Sequence, residues 1–410
     1  MIKARIKLIF IICLFTGTFI SPQLLLAQNQ YSVLRGSAED SLTTKDFPGA
    51  WNLPGTNLYM KFGGYFRLDA IYDFSGAGSR NQLLINQVPV EGTAEAANAS
   101  PFFNMHVRET RFNFDLRRTT DMGRPLKFFL EFDFFDESLS AGQPRLRHAF
   151  VKYGNLLIGQ TWTNLSDLRV FPFIMDFSSG DALFGGRSIQ IRWEQNFAKN
   201  MQYAVSIENP TVNGIANPFN LNGNSMPTMP LLSARLTNDR PRGMLMFGGQ
   251  VQQLRWNQGS SGSPFTGVGW GVIFNGRQSI TDKLFATWHT SYNSGMTNQI
   301  LIFGGTDQGA VLLSNGDIQN EDAITLALGA GYQLTKKLST NLAYAHMNRG
   351  ELTYRPDDTI DNGGMGHFNF MYQLDTFAMT GIEFAWSHVE NKDRAKGEAY
   401  RIQAMIRYSF

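Results

Sequence analysis

Cysteine is nearly absent from this 410-residue chain: the single one, Cys13, lies in an apolar run close to the start. Disulfides, thiol catalysis and thiolate metal sites are thereby excluded from everything downstream. Histidine is sparse as well. The six, His106, His148, His289, His346, His367 and His388, are scattered, with none at a metal-ligand spacing such as H-E-x-x-H. No glycine-rich phosphate loop or calcium-loop repeat is present, so neither a metal nor a cofactor is expected. An excess of one charge is missing too, with 36 basic against 34 acidic residues, and this balance gives no reason to expect a nucleic-acid partner. Beyond residue 27 no apolar stretch approaches the about 20 residues of a membrane helix. A transmembrane β-barrel escapes that test, because its strands hide their hydrophobicity in alternation.

Other residues are plentiful. Aromatics make up 13% and there are 40 glycines, a mixture that suits pleated surfaces and tight turns. The start reads as an export signal: Lys3, Arg5 and Lys7 precede the apolar run Leu8 to Ile20, with cleavage expected after Ala27. Removing 1–27 leaves 33 basic against 34 acidic residues and no cysteine. Residues 28–57 contain Pro48 and Pro54 and no heptad pattern, and are expected to form a loosely ordered periplasmic leader.

From residue 58 onward a period of two dominates. Met60, Phe62, Phe66, Leu68, Ala70, Tyr72 and Phe74 share one face, while Lys61, Tyr65, Arg67, Asp69 and Asp73 share the other. At the end Tyr400, Ile402, Ala404, Ile406, Tyr408 and Phe410 oppose Arg401, Gln403, Arg407 and Ser409. This rhythm marks strands with one apolar and one polar face. It predicts sixteen strands, near 58–74, 104–117, 125–135, 145–153, 155–162, 187–195, 201–208, 230–237, 244–256, 267–277, 283–292, 322–333, 337–347, 366–373, 377–389 and 399–410. Their connections alternate between long (75–103, 136–144, 163–186, 209–229, 257–266, 293–321, 348–365, 390–398) and short (118–124, 154, 196–200, 238–243, 278–282, 334–336, 374–376). Short periplasmic turns and long extracellular loops describe an all-β, antiparallel transmembrane barrel over 58–410. Its polar faces are expected to line water, since so many charges in a dry core would be prohibitive. Aromatics near strand ends, among them Trp162, Trp193, Tyr203, Trp256, Tyr292, Tyr332, Tyr372 and Trp386, fit interfacial girdles.

The run RLRHAFVKYGNLLIGQTW from Arg145 to Trp162 resembles the corresponding segment of DcaP-like outer-membrane porins. Gly64 to Asp73, Arg108 to Asp115 and the ending Tyr400 to Phe410 support the resemblance. The resemblance implies a homotrimeric sixteen-stranded diffusion channel in the bacterial outer membrane, associated with small organic anions such as dicarboxylates. Some members carry an N-terminal coiled coil, for which this chain shows no pattern.

A porin performs no covalent chemistry; charge rings and the width of a constriction set its selectivity. Strand direction places Arg67, Arg111, Arg147, Arg192 and Arg401 on the pore wall near mid-height, with Glu131 as an acidic counterweight. Arg117 and Arg407 fall nearer the periplasmic mouth. Permanently charged guanidiniums at the waist would favour anions. They could equally pair with Asp69, Asp115, Asp133 and Glu194 and hold the wall together. His106 and Arg108 share parity with Phe112 and Phe114, which sets them on the lipid side above the hydrocarbon. Loop 163–186 carries Asp167, Arg169, Asp176 and Asp181 among phenylalanines. The resemblance implies that it folds into the lumen as a constriction, whereas the residues alone fit an outward loop as well. The chief alternative to a porin is a barrel enzyme or adhesin with a plugged lumen; His148 beside Arg147 reads more simply as a wall histidine than as a base.

Overall fold

Sixteen strands follow one another in chain order, and each pairs antiparallel with the next. The computed structural model describes residues 47, 49–135, 142–171, 173–178, 182–212, 214–303 and 308–410. The signal peptide expected at 1–27 and most of the expected leader lie outside these. The strands are β1 (Tyr59–Asp73), β2 in two pieces (Phe102–His106 and Arg111–Thr119), β3 (Pro125–Asp133), β4 (Arg145–Tyr153), β5 (Leu156–Trp162), β6 (Arg187–Ala198), β7 (Met201–Glu208) and β8 (Leu231–Arg240). They continue as β9 (Gly243–Asn257), β10 (Phe265–Ser279), β11 (Leu284–Ser294), β12 (Asp322–Gln333), β13 (Leu338–Arg349), β14 (Ile360–Gln373), β15 (Ala378–Asn391) and β16 (Lys396–Ser409). Strand β16 returns to β1 in register from Tyr65↔Ser409 to Asp73↔Arg401. Closure leaves no edge, so the wall's amides are paired within the protein, as hydrocarbon requires.

The wall is inside-out relative to a soluble sheet. Along β16, Ile402, Ile406 and Tyr408 are 37–52% exposed, whereas Arg401 and Gln403 are at most 2% exposed. Tyr72, Trp193, Tyr292, Tyr332, Tyr372 and Tyr408 are exposed near strand ends on the outward face, where amphipathic rings suit a membrane boundary. Trp256 departs from the girdle expectation. It is buried with Ile215, Leu254, Ala310 and Leu312 beneath a small sheet formed by loop residues, Ile215–Ala216, Ala310–Leu312 and Ile318–Asn320.

Three local irregularities correct the sequence reading. Between His106 and Arg111 the second strand carries one residue too many: Phe66, Arg67 and Leu68 lie opposite Val107 to Thr110. An added residue of this kind reverses facing, so His106 points inward, with Nε2 3.1 Å from the Asn81 carbonyl, and not toward lipid. Arg108, assigned to the same lipid-side rim, is half-buried within this insertion, and its carbonyl accepts from the Phe134 amide. In β4 the register slips at Arg147, so Arg147 and His148 are both buried on the luminal side. Strand β14 starts at Ile360, six residues ahead of expectation, because Gly363, Gly364 and Gly366 erase the alternation there. The last connection is then only 392–395, and the alternation of long and short connections ends with a tight turn.

The lumen is not simply water lined by charge. Loop residues Leu83, Ile85, Leu165, Val170, Phe171, Leu183, Phe184, Met296 and Ile300 form one buried apolar cluster with inward-facing Met244, Met246, Ile273, Ala323, Met347 and Met365. The buried charges concentrate instead on β1 to β4, β6, β7 and β16, including Arg67, Asp69, Asp115, Lys127, Asp133, Glu194, Arg401 and Arg407. One side of the interior is therefore charged, and the other is packed by loops.

Gly64 tests the wall geometry. Its φ is +147°, and a Cβ there would lie 2.1 Å from the Arg111 carbonyl oxygen. Gly64→Val should cost ~1–3 kcal/mol in strain at this position. The check is the temperature at which the folded, heat-modifiable gel band is lost, which should fall.

Candidate functional site

Loop 163–186 leaves β5 after Trp162 and crosses the inside of the barrel. Its first turn is fixed by Asp167, which accepts from the Arg169 backbone and guanidinium, while Arg169 also reaches Asp239 on β8 at 2.7 Å. Burial works against the ionised form of Asp167, but the Arg169 charge and its hydrogen bonds outweigh that and hold the carboxyl below the usual range. Burial likewise opposes the charge on Arg169, yet Asp167 and Asp239 raise its pKa.

Further along, the loop meets strands on the opposite wall. Asn369 of β14 donates to the Phe173 carbonyl at 2.9 Å. Glu383 of β15 accepts from the amides of Met175 and Asp176 at 2.8 and 2.9 Å. Arg67 of β1 donates to the Met175 carbonyl. Asp176 accepts from the Leu83 amide in the first long loop and lies 3.8 Å from Arg401. On the return, the Phe184 amide donates to His289 of β11 at 3.1 Å. Asp181 lies outside the described residues.

Almost every arginine singled out in the sequence has an acidic neighbour. Arg67 bridges Asp69 at 2.7 Å and Glu109 at 2.8 Å. Arg192 lies 3.0 Å from Glu194, and Arg401 lies 2.9 Å from Asp73. Arg147 forks onto Glu131 at 2.9 Å and Asp133 at 2.6 Å. Arg111 is the looser case, 3.9 Å from Glu131 and set against the Tyr65 ring. Cross-strand register explains the pairing, since Asp133 faces Arg145 and Asp73 faces Arg401 directly.

One group is not balanced. At the base of the loop, Arg111, Arg145, Arg147 and Arg187 share, among the described residues, the carboxylates Glu131 and Asp133, with Glu109 acting on Arg111 as well. Arg145 and Arg147 lie over Phe177, itself stacked on Phe135 at 3.8 Å. Arg187 rests on the Trp162 ring, and no salt bridge to it occurs among the described residues. Among the described residues, no acceptor faces the buried donors Arg111 Nε, Arg187 Nη1 and Trp162 Nε1.

Sequence reasoning missed Glu383, Asn369, His289 and Arg187. The first three were readable as inward positions on their strands, but nothing in the sequence gave the register that aims them at the loop. Arg187 is the first residue of β6, where parity carries little information.

A family model described as DcaP outer membrane protein matches residues 53–410. The chain belongs to that family. No curated protein sequence matches it. Among solved structures it is similar to the outer membrane channel DcaP of Acinetobacter baumannii, with a TM-score of 0.77, 20% identity, 88% of this chain covered and 100% of that one. It is also similar to an anion-selective porin from Comamonas acidovorans (TM-score 0.59, 11% identity, 86% and 100% covered). A third is Salmonella typhi OmpF in complex with daunomycin (TM-score 0.55, 8% identity, 86% and 98% covered). At these identities the likeness establishes the barrel fold, and the family match supports an outer-membrane location. Among the described residues, no group of three or more His, Cys, Asp or Glu is arranged to hold a metal ion.

Two outcomes are expected for this DcaP-family loop. Glu383→Gln removes the charge from two charge-assisted hydrogen bonds, each worth ~1.5–3 kcal/mol; single-channel recordings should show flickering that wild type lacks. Asp167 contributes fully above about pH 4, where a free aspartate is ionised, and its contribution fades as pH falls toward its depressed value. Conductance should therefore stay quiet from pH 7 to pH 4, while Asp167→Asn should be noisy already at pH 7.

Proposed function

We propose that this protein is a passive diffusion channel of the outer membrane that favours small organic anions such as dicarboxylates and works as a homotrimer. The barrel, the family and the charged half of the lumen support a water-filled route. The observation that carries the anion preference is the excess of guanidinium over carboxylate, among the described residues, at Arg111, Arg145, Arg147 and Arg187. An anion entering there meets several guanidiniums, whose forked donors match a carboxylate in geometry. Loop 163–186 would act as the constriction, with Asp167, Arg169 and Asp176 anchoring it. Trimerisation is supported by an outward cluster of Phe62, Phe112, Phe114, Phe132, Phe134 and Phe410, whose rings lie 5.3–6.2 Å apart.

The test is reversal potential in planar bilayers under a salt gradient. Wild type should prefer anions, and Arg187→Gln with Arg111→Gln should cut that preference several-fold while the conductance step persists. Unchanged selectivity in the double variant would defeat the anion reading. Arg67 is a poorer choice, because neutralising it takes the guanidinium from Asp69 and Glu109 together, and Arg192 shares Glu194 with Lys152 and Arg235.

The apolar cluster of loops favours a second reading, a plugged barrel acting through its outer loops as an enzyme or adhesin. That reading expects no liposome swelling in the presence of small sugars, whereas the channel reading expects swelling.

A further inference from the structure

The outward face of β13 to β16 carries four transverse rows whose composition changes with height. The lowest, Leu342, Phe368, Phe384 and Ile402, is 37–58% exposed and fully apolar. Above it run Tyr344, Gly366, Trp386 and Tyr400, then His346, Gly364, His388 and Glu398, then Asn348, Asn362, Glu390 and Lys396. The histidine row thus sits just past the aromatic boundary, on the side of the long loops. Two imidazoles on the outward surface of a membrane barrel are not explained by the lumen, which lies on the other side of the sheet.

These side chains converge. Tyr344 Oη is 3.4 Å from His346 Nδ1 and 3.2 Å from His388 Nε2. The two imidazole rings are stacked at 5.8 Å, and Trp386 stacks on His388 at 5.0 Å. The convergence depends on Gly364, which lies between the two histidines in register. A Cβ there would stand 2.6 Å from Tyr344 Oη and 2.7 Å from His388 Nε2. The phenol has one proton to donate and faces two nitrogens. The two oxygen-to-nitrogen separations bracket the roughly 3.3 Å ligand-to-ligand edge of a tetrahedron with ~2.0–2.1 Å metal bonds.

We propose that His346, His388 and Tyr344 form a surface site for a divalent cation with affinity for imidazole, the class that includes Cu(II), Ni(II) and Zn(II). Neutral imidazoles are the common ligands of these ions. Binding places the cation between the two nitrogens and the phenol oxygen, and the phenol proton passes to solvent, so affinity rises with pH. Glu398, directly opposite His388 in register, adds negative charge nearby. No spacing in the chain announces the site, because His346 on β13 and His388 on β15 are 42 residues apart and are brought together only by register, each opposite Gly364 of β14.

The experiment titrates Cu(II) into the untagged full-length protein in detergent and follows tryptophan emission. Because Trp386 stacks on a ligand, one equivalent per chain should quench a saturable part of the signal, and Trp386→Phe should abolish that part. His346→Gln and His388→Gln should each weaken the binding at least tenfold, with the heat-modifiable gel band showing that both variants are folded. Copper electron paramagnetic resonance of the wild type should show nitrogen hyperfine structure that the double variant lacks. Quenching of the same midpoint in the histidine variants, or none that saturates, would overturn the site. Conductance should be unaffected throughout, which separates this outcome from the channel reading.

Discussion

Hydrocarbon offers no acceptor for a backbone amide, and the rest of this structure follows from that poverty. A sheet in such a solvent has to close, here through the pairing of β16 with β1. Closure creates an inside, and the wall is one residue thick, so every second side chain is sent there. In β1 these are Arg67, Asp69 and Asp73, and in β16 Arg401, Gln403 and Arg407. Charges confined in this way require partners or water. The short ladder Asp73–Arg401, Asp69–Arg67–Glu109 along one seam shows how closely the first option is followed.

The interior has two characters. The charged arc from β1 to β8 keeps its arginines and acids within hydrogen-bonding distance of each other. The arc from β9 to β15 presents mainly methionine, alanine and neutral polar residues, with Arg349 and Glu383 as buried charges, and is covered by loops. Loop 163–186 is common to both: Asp167 and Arg169 belong to the charged side, and Leu183 and Phe184 are buried in the apolar cluster. Its described residues therefore touch both arcs, and the group formed by Arg111, Arg145, Arg147 and Arg187 lies on the charged side.

The strands were legible in the sequence because facing in a one-layer wall depends on position alone. Wherever the period of two ran unbroken, as in β1, β15 and β16, the sequence gives the facing of each residue. It misleads where the chain adds a residue, at 107–110 and at Arg147, since the composition on either side is unchanged and nothing local marks the slip. It falls silent where glycine replaces the outward residues, as in the first turn of β14. The candidate arginines were legible as inward positions. Their partners, and the role of Glu383 under the loop, depend on cross-strand register and on a contact spanning 208 residues, neither of which a single sequence encodes locally.

That long contact bears on the order of construction. The amides of Met175 and Asp176 wait for a carboxylate that the ribosome adds some two hundred residues later, on the penultimate strand. Arg401, beside Asp176, arrives later still. Non-local contacts of this kind form only after the intervening chain has been brought round. The loop thus has its full set of anchors only when the last two strands stand in the wall.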